Sequence, residues 1–404
     1  MRIAVIGGGA AGFFSAIAAK ENHPNAHVII YEKSQKVLSK VKVSGGGRCN
    51  VTNGTTSISE LAQGYPRGEK QLKKAFSVFN TTHTRDWYER RGVELYTQND
   101  NRVFPKSDDS QTIVDCLSGE TKRLGIDVQL GIGISSIEKM ESQLQLTFTR
   151  DKQKPRTFDK VIVATGGSPS RKGFDWLEQL GHKIEEPVPS LFTFNMPSES
   201  VKDLMGVSVQ NALVNVQGTK LKSDGPLLIT HWGMSGPAIL KLSAFGARIL
   251  SEIGYKFSAQ VNWAGEVNNE LVMNQLREII ASNPNKLLSN MKPFGLPERM
   301  WLYVISRSEL PATKKWNELG KKGLNKLVNT LTNDIYQVKG KTTFKEEFVT
   351  CGGVSLDSVN FKTMESRACP NLYFAGEVLD IDGITGGYNF QAAWTTGFIA
   401  GKLN

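Results

Sequence analysis

Apolar and polar positions along this chain change period several times, and the changes mark out its elements. Residues 3 to 6 (Ile-Ala-Val-Ile) form an apolar run of strand length, and a helix-like stretch follows from Phe13 to Lys20. A second strand is expected over His27–Tyr31, and helices over Glu69–Arg91 and Ser110–Leu124. Short β-like runs come next, at Asp127–Leu130, Ile132–Ile137, Leu144–Thr149 and Phe158–Ala164. With the first two strands they predict a parallel sheet carrying a small antiparallel meander. From Phe192 to Trp263 the pattern alternates and is rich in turns, as in Ala212-Leu213-Val214-Asn215-Val216, which predicts a small β-barrel. Helical spacing takes over from Asn268 to Gln337, through Leu271, Leu276 and Ile280, then Met300 and Ile305, then Leu324, Leu327 and Leu331. Pro284, Pro293, Pro297 and Pro311 separate these helices. Phe361-Lys362-Thr363-Met364 then leads into a last strand.

Between the first strand and the first helix lies Gly7-Gly8-Gly9-Ala10-Ala11-Gly12, a G-x-G-x-x-G in a strand-to-helix turn. Gly7 permits the tight turn, Gly9 lets backbone approach a pyrophosphate, and Gly12 lets helix and strand pack closely. The helix start offers free N–H groups to a diphosphate. Glu32 ends the second strand twenty residues after Gly12, where a carboxylate can accept from both ribose hydroxyls of an adenosine. A dinucleotide site is expected.

Distant segments decide which dinucleotide. Val161-Ile162-Val163-Ala164-Thr165-Gly166-Gly167 and Asn371-Leu372-Tyr373-Phe374-Ala375-Gly376-Glu377 are buried-type strands running into small-residue turns. Gly386-Gly387-Tyr388-Asn389-Phe390-Gln391-Ala392 then opens a final helix. A simple NAD dehydrogenase has no need of its last strand and helix to close the site, whereas the longer FAD recruits such segments. The reading is non-covalent FAD in an α/β protein whose Rossmann-like FAD-binding domain carries an inserted β-barrel domain and a helical cap. Composition switches at Pro187 and Pro189. The expected boundaries are 1–187 with 346–404 for the discontinuous FAD domain, 188–265 for the barrel and 266–345 for a basic cap. No second G-x-G-x-x-G follows a strand, so NAD(P)H would dock only transiently, as a reductant.

A closer resemblance covers nearly the whole chain. Lys42-Val43-Ser44-Gly45-Gly46-Gly47-Arg48-Cys49-Asn50-Val51-Thr52-Asn53 resembles a signature of the bacterial BaiN-like (YhiN-like) flavoproteins. So do Arg102-Val103-Phe104-Pro105, Thr230-His231-Trp232-Gly233-Met234-Ser235-Gly236-Pro237, Thr350-Cys351-Gly352-Gly353-Val354 and Gly383-Ile384-Thr385-Gly386-Gly387-Tyr388-Asn389. The resemblance implies an FAD-dependent oxidoreductase, with reduction of conjugated C=C bonds among the activities proposed in the family. In one branch the reduced bond belongs to a uracil ring in ribosomal RNA. It implies a cofactor grip by Gly7, Gly9, Ala10, Ala11, Gly12, Glu32 and Lys33, by Ser44, Gly45, Gly46, Arg48, Cys49 and Asn50, and by Thr165 and Gly166. At the other end of the chain, Gly376 and Glu377 would meet the ribityl hydroxyls, and Gly387, Asn389, Phe390 and Gln391 the flavin pyrimidine.

At 404 residues the chain is long enough for one large core and one or two smaller ones, and no run of eighteen apolar residues predicts a membrane span. The chain goes straight into its first strand, leaving no room for a signal peptide. Cys49, Cys116, Cys351 and Cys369 lack C-x-x-C spacing, which argues against zinc or a dithiol pair. They fit a reduced, cytoplasmic compartment and read as small buried hydrophobes, with Cys49 set apart by its place in the flavin-side loop. The formal charge is +10. Twelve Lys/Arg against four Asp/Glu between Lys286 and Lys345 leave +8 in that stretch. Either it is a solvated face or it meets an anionic partner, ribosomal RNA first among them.

Three side chains stand out for chemistry. Arg48 could stabilise charge on a reduced flavin or clamp an anionic substrate, or merely rigidify its loop. His231 could deliver a proton near neutrality or be structural. Tyr388 could donate a proton, stack over substrate or pack under the ring. No metal cluster competes with them. Two classes of function stay open: an enzyme moving a hydride at flavin N5 to an activated C=C of a small molecule or RNA base, and an RNA- or ribosome-binding flavoprotein whose FAD is mainly structural.

Overall fold

Ile3, Ala4, Val5 and Ile6 are all buried because their strand, β1 (Arg2–Ile6), lies in the middle of a parallel sheet. The computed structural model describes residues 1–149, 153–343 and 349–404. The chain divides into two compact units, Met1–Ser190 with Lys345–Asn404, and Leu191–Phe344. The expected boundary between residues 345 and 346, and Lys345 itself, lie outside the described residues.

In the first unit β1 is followed by α1 (Ala10–Asn22), β2 (His27–Glu32), α2 (Gln111–Arg123), β3 (Asp127–Leu130) and β4 (Lys160–Val163). β5 (Leu372–Phe374) and α3 (Tyr388–Ala400) come from the far end of the chain. The parallel strands stand in the order β5-β4-β1-β2-β3, so the order reverses at β1. In such sheets ligands bind outside the carboxyl ends of the strands at that reversal. Val359–Asn360 and Glu365–Ser366 extend the β5 edge antiparallel, and Ile134–Lys139, Leu144–Phe148 and Arg156–Phe158 form the expected meander.

α1 and α3 bring the two ends of the chain together. Their contact face is built of small residues: a Cβ on Gly397 would lie 3.0 Å from the Ala11 carbonyl oxygen, and one on Gly401 2.6 Å from the Ala18 Cβ. Two helices so close need glycine or alanine at the crossing. α1 is buried from Ala11 to Ala19, which suits a helix with apolar neighbours on every side.

One expected helix is two. Glu69–Arg91 breaks into Glu69–Ala75 and Thr81–Glu89. Asn80 starts the second: its Oδ1 accepts from the N–H groups of Thr82 at 3.0 Å and His83 at 3.3 Å, and His83 Nδ1 accepts from Asn80 N–H at 3.2 Å. The break is a capping box with histidine in the usual glutamate place.

The second unit contains one antiparallel sheet of seven strands. Its order is Asp334–Lys339, Lys256–Asn262, Ser208–Val216, Lys222–Ile229, Gly233–Ser235, Thr193–Asn195 and Lys341–Thr342. The first and last strands in that order are consecutive in sequence, joined at Gly340 with φ +112°. Helices Asn269–Ser282, Glu298–Arg307 and Gly320–Thr332 precede the last two strands. The helical reading to Gln337 therefore ran too far, and the stretch 266–345 is not helical throughout. Asp334 explains it. Its buried carboxylate accepts from Trp263 Nε1 at 3.0 Å, Arg307 Nε at 2.8 Å and the Tyr336 hydroxyl. With Asp334 facing the core and Ile335 outward, the apolar alternation is inverted at the start of the strand and regular only from Tyr336. Among the described residues no helix is long and apolar enough to cross a membrane.

Candidate functional site

The β1–α1 turn is shaped by what its glycines leave out. Gly7 has φ +113°, and a Cβ there would lie 2.3 Å from the Ala164 carbonyl oxygen, so the turn sits hard against the end of β4. A Cβ on Gly12 would lie 1.9 Å from the Gly7 carbonyl oxygen. Gly9 differs: a Cβ there would meet nothing within 4 Å. Its φ of −93° suits any residue, so open space beside a helix start is what this glycine provides. Glu32 closes one side. Its Oε2 accepts from Gly8 N–H and its Oε1 from Ser34 N–H, each at 2.7 Å. The carboxylate is thereby oriented, and both oxygens keep lone pairs for a ribose. Lys33 beside it is exposed.

The loop from Ser44 to Asn50 forms the next wall. Gly45, Gly46 and Gly47 have φ of +59°, +70° and +86°, and around Gly46 and Gly47 there is open space. Arg48 caps the segment with its guanidinium 4.2 Å from the Phe104 ring centre and 3.7 Å from Asp108. Its Nε also donates weakly to the Gly45 carbonyl at 3.4 Å, and the guanidinium stays partly exposed. Cys49 does not face the site. It is fully buried, and burial pushes its thiol up to about 12, the state of an inert core cysteine. Asn50 is a structural hydrogen-bonder. With its amide oriented to satisfy its neighbours, it donates to the Val103 and Thr52 carbonyls and accepts from Gly387 N–H at 2.9 Å.

The end of the chain closes the far side. A Cβ on Gly376 would lie 2.7 Å from the Ala11 Cβ, which sets the turn after β5 directly on the start of α1. Glu377 accepts from Thr350 N–H at 2.8 Å and pairs with Lys40 at 2.8 Å. A Cβ on Gly167 would lie 2.4 Å from Thr350 Oγ1 and 2.8 Å from Glu377 Oε1. Thr350 Oγ1 is buried without a hydrogen-bond partner. A buried hydroxyl left unsatisfied beside an acid is a group that a polar ligand would satisfy. At the mouth of β4 Thr165 is exposed, and a Cβ on Gly166 would meet nothing within 4 Å.

Not every expected contact survives. Gln391 is completely buried: its Oε1 accepts from Thr52 Oγ1 at 2.6 Å and Thr84 Oγ1 at 2.8 Å, and its Nε2 donates to Thr395 Oγ1 at 3.0 Å. No group of that side chain remains for a flavin. Asn389 spends its amide on Gly383, accepting from its N–H at 2.8 Å and donating to its carbonyl at 3.0 Å. Phe390 stacks on Trp394 at 5.7 Å. Tyr388 lies on Gly64, where a Cβ would approach its ring to 2.2 Å, and edge-on to Tyr65. Burial pushes its phenol above the ordinary value. Tyr388 is half-buried by these contacts, and its carbonyl accepts from the Tyr65 hydroxyl at 2.7 Å.

Three features went unnoticed in the sequence. Thr350 sat inside a quoted motif, but a threonine before cysteine carries no signal of its own. Lys40 needed the fold to bring it to Glu377. Asp382, fully buried, accepts from both Nε and Nη2 of Arg67 and from Ser190 Oγ at 2.6 Å, and its partners are far away in sequence. His231 belongs to the second unit, at the tip of a hairpin.

Within the first unit, then, residues from both chain ends line one cradle at the carboxyl ends of the parallel strands, open at Gly9, Gly46, Gly47 and Gly166 and lined by an unsatisfied hydroxyl. These residues fit a dinucleotide as long as FAD. The family model "HI0933-like protein Rossmann domain" matches residues 1–403, in agreement with the resemblance the motifs carry. A ribosomal RNA dihydrouridine synthase of Escherichia coli (strain K12) is 30% identical over 403 residues, covering 97% of this chain and 95% of the relative. A 3-dehydro-bile acid delta(4,6)-reductase of Clostridium scindens is 27% identical over 414 residues, covering 99% and 98%. The solved 3-ketosteroid delta1-dehydrogenase of Sterolibacterium denitrificans aligns with a TM-score of 0.52 at 11% identity, over 99% of this chain and 98% of that one. That last likeness is one of fold.

Proposed function

Because the chain belongs to the HI0933-like Rossmann-domain family, a family of flavoprotein oxidoreductases, we propose that it uses non-covalent FAD to add two hydrogens across a C=C bond conjugated to a carbonyl. The substrate of this reading is the C5=C6 bond of a uracil ring in ribosomal RNA, with NAD(P)H as electron source and the cytoplasm as its place of work. The carrying observation is the cradle itself, in which Gly9, Glu32, Thr350 and Glu377 are gathered from both ends of the chain. When bound, FAD would supply the hydride. The chain's own work is to hold and orient. Glu32, oriented by two N–H groups, would meet an adenosine ribose, and the N–H groups at the start of α1 would face the diphosphate. Arg48 offers a cation near the open glycines. In uracil the hydride goes to C6 and a proton to C5, giving the 5,6-dihydro ring.

The choice of RNA is supported by the name of the Escherichia coli relative and by the cations of the second unit. The Clostridium scindens relative supports a second reading, a free conjugated ring of steroid type. One experiment separates them. The purified protein is reduced anaerobically with NADH or NADPH and given either ribosomal RNA fragments or a steroid enone, and products are weighed. A gain of 2 Da on a uridine, with flavin reoxidation, is the expected result. Such a gain on the steroid alone would favour the second reading. Absence of both, with RNA still bound, would leave FAD a structural role.

A further inference from the structure

His231 and Trp232 are the two central residues of a tight hairpin turn in the second unit, between the strands Lys222–Ile229 and Gly233–Ser235. Thr230 N–H donates to the Gly233 carbonyl at 2.7 Å, and Gly233 N–H returns the bond at 3.2 Å. Thr230 Oγ1 accepts from Trp232 N–H and Gly233 N–H, both at 3.3 Å. The Trp232 carbonyl accepts from Met196 N–H at 2.8 Å. Gly233 has φ +149° and no room for a side chain, since a Cβ would lie 2.3 Å from the Phe194 carbonyl oxygen. The backbone of this turn is fixed from several sides, yet the side chains it presents are free. Trp232 is 45% exposed, while Trp263, Trp301, Trp316 and Trp394 are essentially fully buried. A large aromatic surface held on a rigid tip is therefore available to a partner.

His231 strengthens the point. Its ring lies 4.5 Å from the Trp232 ring at 44°. Among the described residues nothing hydrogen-bonds either of its ring nitrogens. With no described residue holding its ring nitrogens, the ring presents its face as aromatic surface beside Trp232. The tip is tied to the helical part of the same unit. Gly206 N–H donates to the Ile229 carbonyl at 3.0 Å, and Arg299 donates from Nη2 to Asp203 at 2.7 Å and from Nη1 to Met205 at 3.3 Å, each through a backbone carbonyl. Lys286, Lys314 and Lys315 lie in the loops between these helices and Lys321 and Lys322 at the start of Gly320–Thr332, none of them ion-paired among the described residues. An exposed aromatic pair in the same unit as a field of unneutralised cations is the chemistry that takes an unpaired stretch of nucleic acid, one part stacking a base and the other meeting phosphates.

We propose that His231 and Trp232 form a stacking platform for an unpaired base of an RNA substrate. The proposal rests on the RNA reading above and adds the residues that would grip a base. The test measures binding of a labelled single-stranded oligouridylate to the full-length holoprotein by fluorescence anisotropy, alongside the same backbone without bases. Trp232→Ala should weaken oligouridylate binding roughly ten-fold, with flavin content and circular dichroism unchanged because the site is exposed. Trp232→Phe should keep most of the affinity and His231→Ala lose an intermediate amount. The slope of affinity against salt should not change, since stacking releases no counterions. The abasic strand should bind wild type and Trp232→Ala equally. If wild type binds oligouridylate and Trp232→Ala matches it within two-fold, the platform is overturned and the RNA reading stands. If wild type binds no RNA at all, both fall.

Discussion

Gly12 packs so closely on Gly7 that a Cβ at Gly12 would lie 1.9 Å from the Gly7 carbonyl oxygen. The atom met is backbone, which cannot rotate away. Gly12→Ala should therefore cost about 3 kcal/mol of stability by overpacking, visible as a fall in the thermal midpoint of flavin-free protein. Gly9→Val should act in the opposite way. Open space surrounds Gly9 and its φ of −93° is ordinary, so the flavin-free midpoint should stay within about 2 °C of wild type while bound flavin is lost. Stoichiometric yellow cofactor in Gly9→Val would remove the pyrophosphate from this turn. Comparing flavin-free forms matters, because a bound ligand raises the midpoint by itself.

The parts of this site that could be read from sequence are those where local backbone geometry selects the residue. Gly12 and Glu32 answer to constraints within one β-α-β unit and Gly7 to its own positive φ, and the apolar runs of β1, β4 and β5 are long enough to be seen alone. Gln391 and Asn389 misled for the opposite reason. A polar side chain at a helix start near a ligand looks like a contact, and only the fold reveals Thr52, Thr84 and Gly383 waiting for it. Asp334 hid a strand by facing inward, and Asn80 split a helix that apolar spacing ran together. Partners distant in sequence decided the cases of Gln391 and Asp334, whereas the Asn80 cap and the Asn389–Gly383 pair are local and were masked by the apolar spacing and the glycine motif around them.

Gln391 should prove structural. Gln391→Leu would leave the Thr52 and Thr84 hydroxyls buried without their shared acceptor, a cost of about 2–4 kcal/mol for two such groups. The urea midpoint should fall accordingly, while the flavin absorption maxima of the folded protein stay where they are. A displaced flavin spectrum at unchanged stability would put Gln391 against the ring instead.

His182 should make the protein acid-sensitive. It is 3% exposed, its Nε2 lies 3.2 Å from Ser366 Oγ, and its Nδ1 has no partner. Burial, helped by the charge of Lys139, lowers its pKa to about 4 from an ordinary 6.5. The unfolded chain therefore binds a proton that the folded one refuses. Stability contributed by the neutral ring is complete above pH 6.5 and is lost as the pH falls toward 4. At pH 5 the loss is about 2 kcal/mol relative to pH 7.5. His182→Gln should shrink that difference in urea unfolding by the same amount. An unchanged pH dependence would place the acid-sensitive group elsewhere.

Lys321 and Lys322 sit in the first turn of Gly320–Thr332, a turn with no acidic residue. That is the positive end of the helix dipole, where lysine is disfavoured and glutamate favoured. Glu309, the acid near Lys322, is already bonded to Lys326. Stability alone gives no reason for these charges, and the same holds for Lys314 and Lys315, which have no ion-pair partner among the described residues. Reversing all four to Glu should raise stability by about 1 kcal/mol through the two helix-start positions. If the cations meet phosphates, it should also weaken RNA binding by an order of magnitude or more and flatten the logarithmic salt slope by about 3. Flavin content, and reduction of a small artificial acceptor, should be untouched. Opposite signs for stability and binding in one variant are hard to obtain from a damaged fold. If stability rises while RNA binding and its salt slope match wild type, these lysines are a solvated face and the phosphates lie elsewhere.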